Sequence, residues 1–204
     1  MIAFLAKGGV LVVPILLCSV LALAIFAERL IRFARLKSRG SGLTERVVAL
    51  INRGDDQGAY DTAVSSRSPM GQVLAQAIGV RDQDRDVLES VILHATDTEV
   101  RKLSSYTQAL ATIGNIAPLL GLLGTVIGMI KAFMVIQQMG GKVNAAVLAG
   151  GIWEAMLTTA LGLAVALPTM VAHSYLIARI EKYEAKLQEG SVAFLKAVAA
   201  RPEA

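Results

Sequence analysis

Three long stretches of this chain are almost free of charge, and that limits its folds more than any motif does. Residues 8–27 and 103–130 carry no charged side chain, and residues 143–178 carry only Glu154. A helix rises 1.5 Å per residue, so about 20 residues cross a hydrocarbon core of roughly 30 Å. Each stretch is therefore long enough to span a bilayer once. With 54% hydrophobic and 18% charged residues over 204 positions, and a mean hydropathy of +0.57, the chain is too apolar for an ordinary soluble domain. The predicted fold is an all-α membrane protein with three transmembrane helices and long cytoplasmic helical extensions.

The first stretch is expected to stay as a membrane helix rather than be cleaved as a signal peptide. Its apolar run is longer than a usual leader core, and it ends in ERLIRFARLKSR, a stop-transfer pattern. Basic residues set the expected orientation. Residues 28–102 hold 12 Lys and Arg and the tail from Arg179 holds 5, against Lys7, Lys131 and Lys142 on the other side. The positive-inside rule then places the N-terminus outside and the C-terminus in the cytoplasm. The expected organisation is a periplasmic N-terminus and first span over 1–27, a cytoplasmic helical region over 28–106, the second and third spans over 107–178, and a cytoplasmic helix over 179–204.

Between the first two spans the pattern is helical and punctuated. Leu43, Val47, Leu50 and Ile51 form one stripe, Gly54 ends it, and Pro69 opens a later helix. From about Asp84 apolar residues recur at helical spacing, and no proline intervenes before Pro118. One helix is therefore expected to run unbroken into the second span. No strand alternation is visible.

Several functions find no support. The chain lacks a phosphate-binding GxxxxGK[ST], an HExxH and a serine nucleophile elbow, and it has a single cysteine, Cys18, which suits a small buried hydrophobe. His94 and His173 have no second ligand at metal spacing and read as packing or surface residues. No enzyme, metal or cofactor is expected. The arginines follow from topology, so no nucleic-acid surface is expected either. Those nearest the membrane can meet lipid headgroups, although solvated helix faces are the simpler reading.

What remains is inside the spans. Of the sixteen acidic residues, fifteen lie outside the spans or at their ends, and Glu154 is the exception. A carboxylate in lipid is costly and ordinarily faces a bundle interior or a water-filled path. A lone interfacial carboxylate is the plainer reading, but an interface-organising or functional role is favoured. Beside it runs a stripe of small residues, Gly151, Ala155, Thr159, Gly162, Ala166 and Thr169. A matching stripe in the second span comprises Gly114, Ala117, Gly121, Thr125, Gly128 and Ala132. Small residues let helices approach closely, and Gly121, Gly124, Gly128 and Gly162 are read as close-packing positions. Thr125 and Thr159 are read as pore-lining. At 100° per residue Thr159 lies 140° from Glu154, so the carboxylate and the threonine are expected to face different neighbours.

GNIAPLLGLLGTVIGMIKAF at 114–133 and GGIWEAMLTTALGLAVALP at 150–168 resemble the MotA/TolQ/ExbB proton channel family, in its three-span ExbB/TolQ branch. ERLIRF at 28–33 agrees, and the resemblance is weakest over 40–80. It implies a subunit of an ion-driven motor in the bacterial inner membrane, powered by the proton motive force. Five copies would surround a dimer of a single-span ExbD/TolR-like partner, whose aspartate titrates, and would drive a TonB/TolA-like protein. By position, Thr125 and Thr159 match the family's pore-facing threonines and Glu154 its third-span glutamate. A flagellar-type or gliding-type stator subunit and a non-conducting membrane scaffold are the rival readings.

Overall fold

A computed structural model describes residues 10–39, 42–138 and 145–200. Gly8 and Gly9 of the first charge-free stretch, and the topogenic Lys7 and Lys142, lie outside these residues. All the regular secondary structure described is helical: α1 (Val12–Arg39), α2 (Leu43–Arg53), α3 (Asp56–Ser65), α4 (Pro69–Gly79), α5 (Arg85–Ser104), α6 (Thr107–Gln138) and α7 (Ala145–Ala199). Among the described residues three helical stretches are long and apolar enough to cross a membrane, carried by α1, by α5–α6 and by α7. The chain divides into two compact units, one of residues 1–28 and 106–175, the other of 29–105 and 176–204.

The second unit is a helical bundle whose boundaries follow from local chemistry. α2 stops at Gly54, which takes φ 82°, a left-handed conformation glycine adopts without a Cβ clash. Its N–H donates to the Ile51 carbonyl at 3.0 Å, and Asp55 N–H donates to Leu50 at 3.1 Å. Asp55 then caps α3 by accepting from Gly58 N–H at 2.9 Å. Ser68 caps α4 by accepting from Gly71 N–H at 3.1 Å, with Pro69 in the first turn where a missing N–H is harmless. The bundle buries Val47 and Ile51 of α2, Leu74 of α4, Ile92 of α5, and Leu187 and Phe194 of α7 in one apolar core.

The helix expected to run unbroken from Asp84 into the second span is in fact two helices. α5 ends at Ser104, Tyr106 takes φ 64°, and α6 starts at Thr107. Polar side chains take over the carbonyls that a continuous helix would have used. Ser104 Oγ donates to the Arg101 carbonyl at 3.1 Å and Ser105 Oγ to Lys102 at 2.7 Å. The guanidinium of Arg29, 1% exposed, donates to the carbonyls of Lys102 and Leu103 at 3.3 Å each. A buried cation at a helix C-terminus is also favoured by the helix dipole. Arg29 reads in the sequence as one of several topogenic charges; here it is a buried capping group.

In the first unit, α1 contributes buried Val12, Ile15 and Ala22, and Phe26 meets Tyr175 edge to face with ring centroids 6.4 Å apart. α6 and α7 contain Pro118 and Pro168 without ending there. Each proline frees one carbonyl in the preceding turn, a defect that transmembrane helices tolerate.

Candidate functional site

The small-residue stripes of α6 and α7 lie against each other, antiparallel. A Cβ placed on Gly114 would stand 2.9 Å from Met170 Cγ, and one on Gly162 would stand 2.6 Å from the Ala117 carbonyl oxygen. Gly121 would meet Thr158 O and Thr159 Cα at 3.0 Å, Gly128 would meet Ala155 Cβ at 3.1 Å, and Gly151 would meet Ala132 Cβ at 2.6 Å. The paired numbers fall on one side as they rise on the other, so contact continues from residue 114 to residue 132. Gly114, Ala117, Gly121, Gly124, Gly128 and Ala132 are all buried. Backbone-to-backbone approach of this kind is how helices associate where lipid is as apolar as the side chains.

Each threonine has a definite bond. Thr159 Oγ1 crosses the contact and donates to the Gly121 carbonyl at 3.0 Å. Thr125 Oγ1 donates to the Leu122 carbonyl in its own helix at 2.6 Å. Either hydroxyl has committed its only proton but keeps oxygen lone pairs for a water or a cation. Thr158, which the sequence pattern leaves aside, is 1% exposed and sits against Gly124. Its Oγ1 donates to Ala155 O at 2.8 Å, with Glu154 O as a second acceptor at 3.3 Å. A hydroxyl that bonds its own preceding turn is a common way to carry threonine in a span, and neighbour spacing alone does not single it out.

Glu154 is half-buried, and it has a partner. Lys131 Nζ of α6 lies 3.5 Å from Glu154 Oε1. The two are 23 positions apart, so sequence proximity gives no sign of the pair. The antiparallel register does: Gly151 faces Ala132 and Ala155 faces Gly128, so Glu154 comes within a turn of Lys131, a distance the long lysine side chain spans.

Outside the spans, the bundle holds a buried carboxylate. Glu99 of α5 is paired with Lys102 Nζ at 2.6 Å. Burial, and then the charge of Glu99, push the Tyr183 hydroxyl on α7 above its usual range. Among the described residues no cluster of three His, Cys, Asp or Glu side chains is placed to hold a metal ion.

The model of the MotA/TolQ/ExbB proton channel family matches residues 65–189, a range that includes α4 to α6 and most of α7. Biopolymer transport protein exbB1 of Vibrio cholerae is 30% identical over 183 residues, covering 88% of this chain and 80% of its own. Biopolymer transport protein ExbB of Salmonella typhimurium is 31% identical over 186 residues, covering 86% of this chain and 75% of its own. An ExbB-like biopolymer transport protein of Synechocystis is 29% identical over 166 residues, covering 80% and 79%. The matched range contains the α6–α7 contact, both threonines, Lys131 and Glu154, and the family is one of channels and transport rather than of enzymes. With three apolar helices, an all-helical fold and this match across most of its length, the chain belongs to the MotA/TolQ/ExbB proton channel family, in its ExbB/TolQ-like branch.

Proposed function

We propose that this chain is the channel-wall subunit of a motor in the bacterial inner membrane, driven by the proton motive force. Five copies surround a dimer of an ExbD/TolR-like single-span protein, and the complex works on a TonB/TolA-like protein. The N-terminus is periplasmic, and the bundle and C-terminus are cytoplasmic. Thr125 and Thr159 line the wall seen by the partner, Glu154 is the carboxylate of the helix interface, and Gly121, Gly124, Gly128 and Gly162 keep α6 and α7 in backbone contact.

One observation carries this reading: the spans contain a single carboxylate, Glu154, and it is paired with a lysine. A proton relay needs groups that take up and release protons in sequence, and hydroxyls held on carbonyls do not titrate near neutral pH. The titrating group therefore belongs to another chain. What this chain offers is a rigid pair of helices with hydroxyl oxygens on them.

Native mass spectrometry of the chain, affinity-purified from its own membranes in mild detergent, tests the assembly. Five copies with two of a small single-span protein is the expected result. Large soluble partners, with no single-span protein under any gentle condition, would favour a scaffold. The pore assignment has its own test in Thr125→Ala combined with Thr159→Ala. Transduction is expected to fall about tenfold or more, the scale of losing roughly 1.4 kcal/mol or more of stabilisation. Unchanged transduction with normal partner binding would remove both threonines from the pathway.

A further inference from the structure

Lys131 lies within the 114–133 stretch but carries no role in the proposed function, yet its ammonium is the group that meets the lone carboxylate of the spans. Its neighbours make this pairing matter. On α6, Ile127, Met134 and Val135, each about one turn from Lys131, are exposed; on α7, Leu157, one turn from Glu154, is partly exposed. The two charges thus sit on a face that is otherwise apolar and lies within long apolar helices, where lipid or another chain replaces water. An isolated ammonium or carboxylate in such surroundings is costly, and removing one member of a pair strands the other. The pair is also geometrically prepared, because Gly128 and Gly151 bring the backbones together on either side of it. With backbones this close, a lysine reaches across one helix contact without a bridging residue.

We propose that Lys131 is the positioning residue of Glu154: its ammonium holds the carboxylate toward α6 and cancels its charge, so that this end of the α6–α7 pair presents no net charge. The proposal rests on the reading of Glu154 as a working residue of the motor. It adds a residue to that site and gives the site a definite charge state. Arginine preserves the charge but spreads it over a planar fork, whereas methionine preserves most of the length and removes the charge.

The test uses the complex affinity-purified from its own membranes and reconstituted in liposomes, with proton entry under an imposed potential followed by an internal pH-sensitive dye. Lys131→Met is expected to reduce entry about tenfold, equivalent to about 1.4 kcal/mol, and Lys131→Arg to stay within about twofold of the parent. Lys131→Glu is expected to be worse than Lys131→Met. Joining it with Glu154→Lys should restore most of the loss, a rescue that lost packing alone would not give. Parent-like entry in Lys131→Met, with Glu154→Gln inactive, overturns the proposal and leaves the motor reading standing. Parent-like entry in both removes Glu154 from the mechanism, and the proposal with it. Should Lys131→Met fail to accumulate, zero-length carbodiimide coupling of the unmodified complex decides. An amide joining the peptides of residues 131 and 154 supports the pair, and its absence overturns it.

Discussion

The two units of this molecule pack by opposite rules. In the bundle, large apolar side chains such as Leu74, Leu187 and Phe194 point inward. Arg85 and Glu89 pair on the surface at 2.8 Å. Across the α6–α7 contact, glycine and alanine are buried while Leu119, Leu122, Phe133, Leu163 and Leu167 are exposed. Water explains the difference. Where it is the outer solvent, expelling apolar surface drives folding and the interior collects large side chains. Where lipid is the outer solvent, a leucine gains little by turning inward, and close backbone approach becomes the source of cohesion.

That contrast can be broken by substitutions in opposite senses. Phe194→Ala empties a fully buried site in the bundle and is expected to cost about 3–5 kcal/mol. Thermal unfolding of the purified protein, followed by circular dichroism, reads it as a large drop in midpoint. Gly121→Val does the reverse in the spans, adding volume where a Cβ would already stand 3.0 Å from Thr158 O and Thr159 Cα. Backbone is on the other side, so the helices must separate; the expected cost is about 1–3 kcal/mol, with loss of the Thr159 bond to Gly121. The control is Leu122→Ala, which truncates an exposed leucine one residue away and should shift the midpoint little. If Leu122→Ala were as damaging as Gly121→Val, the cohesion of the spans would have to be assigned to large side chains after all.

The parts legible in the sequence are those written in periodicity and punctuation. Charge-poor runs of span length mark the three apolar helices, and Gly54 and Pro69 mark helix ends by their own backbone chemistry. The 3- and 4-residue steps of small side chains gather on faces that meet. What was not legible depends on residues distant in the chain. Lys131 finds Glu154 only through the register of two antiparallel helices. Arg29 finds the carbonyls of Lys102 and Leu103 more than seventy positions away, and with them the break before Tyr106, which no proline or glycine announces. Serine hydroxyls at 104 and 105 that turn back on Arg101 and Lys102 were the local sign of that break. Such back-bonding is equally common within helices, so the sign was ambiguous.

The smallest expected effect concerns hydroxyls, which the two units also use differently. In the bundle, Ser68 is buried and accepts from Gly71 N–H, a donor with no partner inside its own helix. In the spans, Thr169 is buried and its Oγ1 donates to the Val165 carbonyl at 2.7 Å, an acceptor that keeps its place in the helix either way. Ser68→Ala therefore leaves a buried N–H unsatisfied and should cost about 1 kcal/mol. Thr169→Val keeps the branched shape and strands nothing, so it should cost about 0.6 kcal/mol or less, the scale of polar contacts measured between membrane helices. Chemical denaturation of the two variants beside the parent measures the difference. A Thr169→Val penalty equal to or above that of Ser68→Ala would mean that the hydroxyl does more than fold back on its own turn. The carbonyl freed by Pro168, one residue away, would then be the first place to look for its second role.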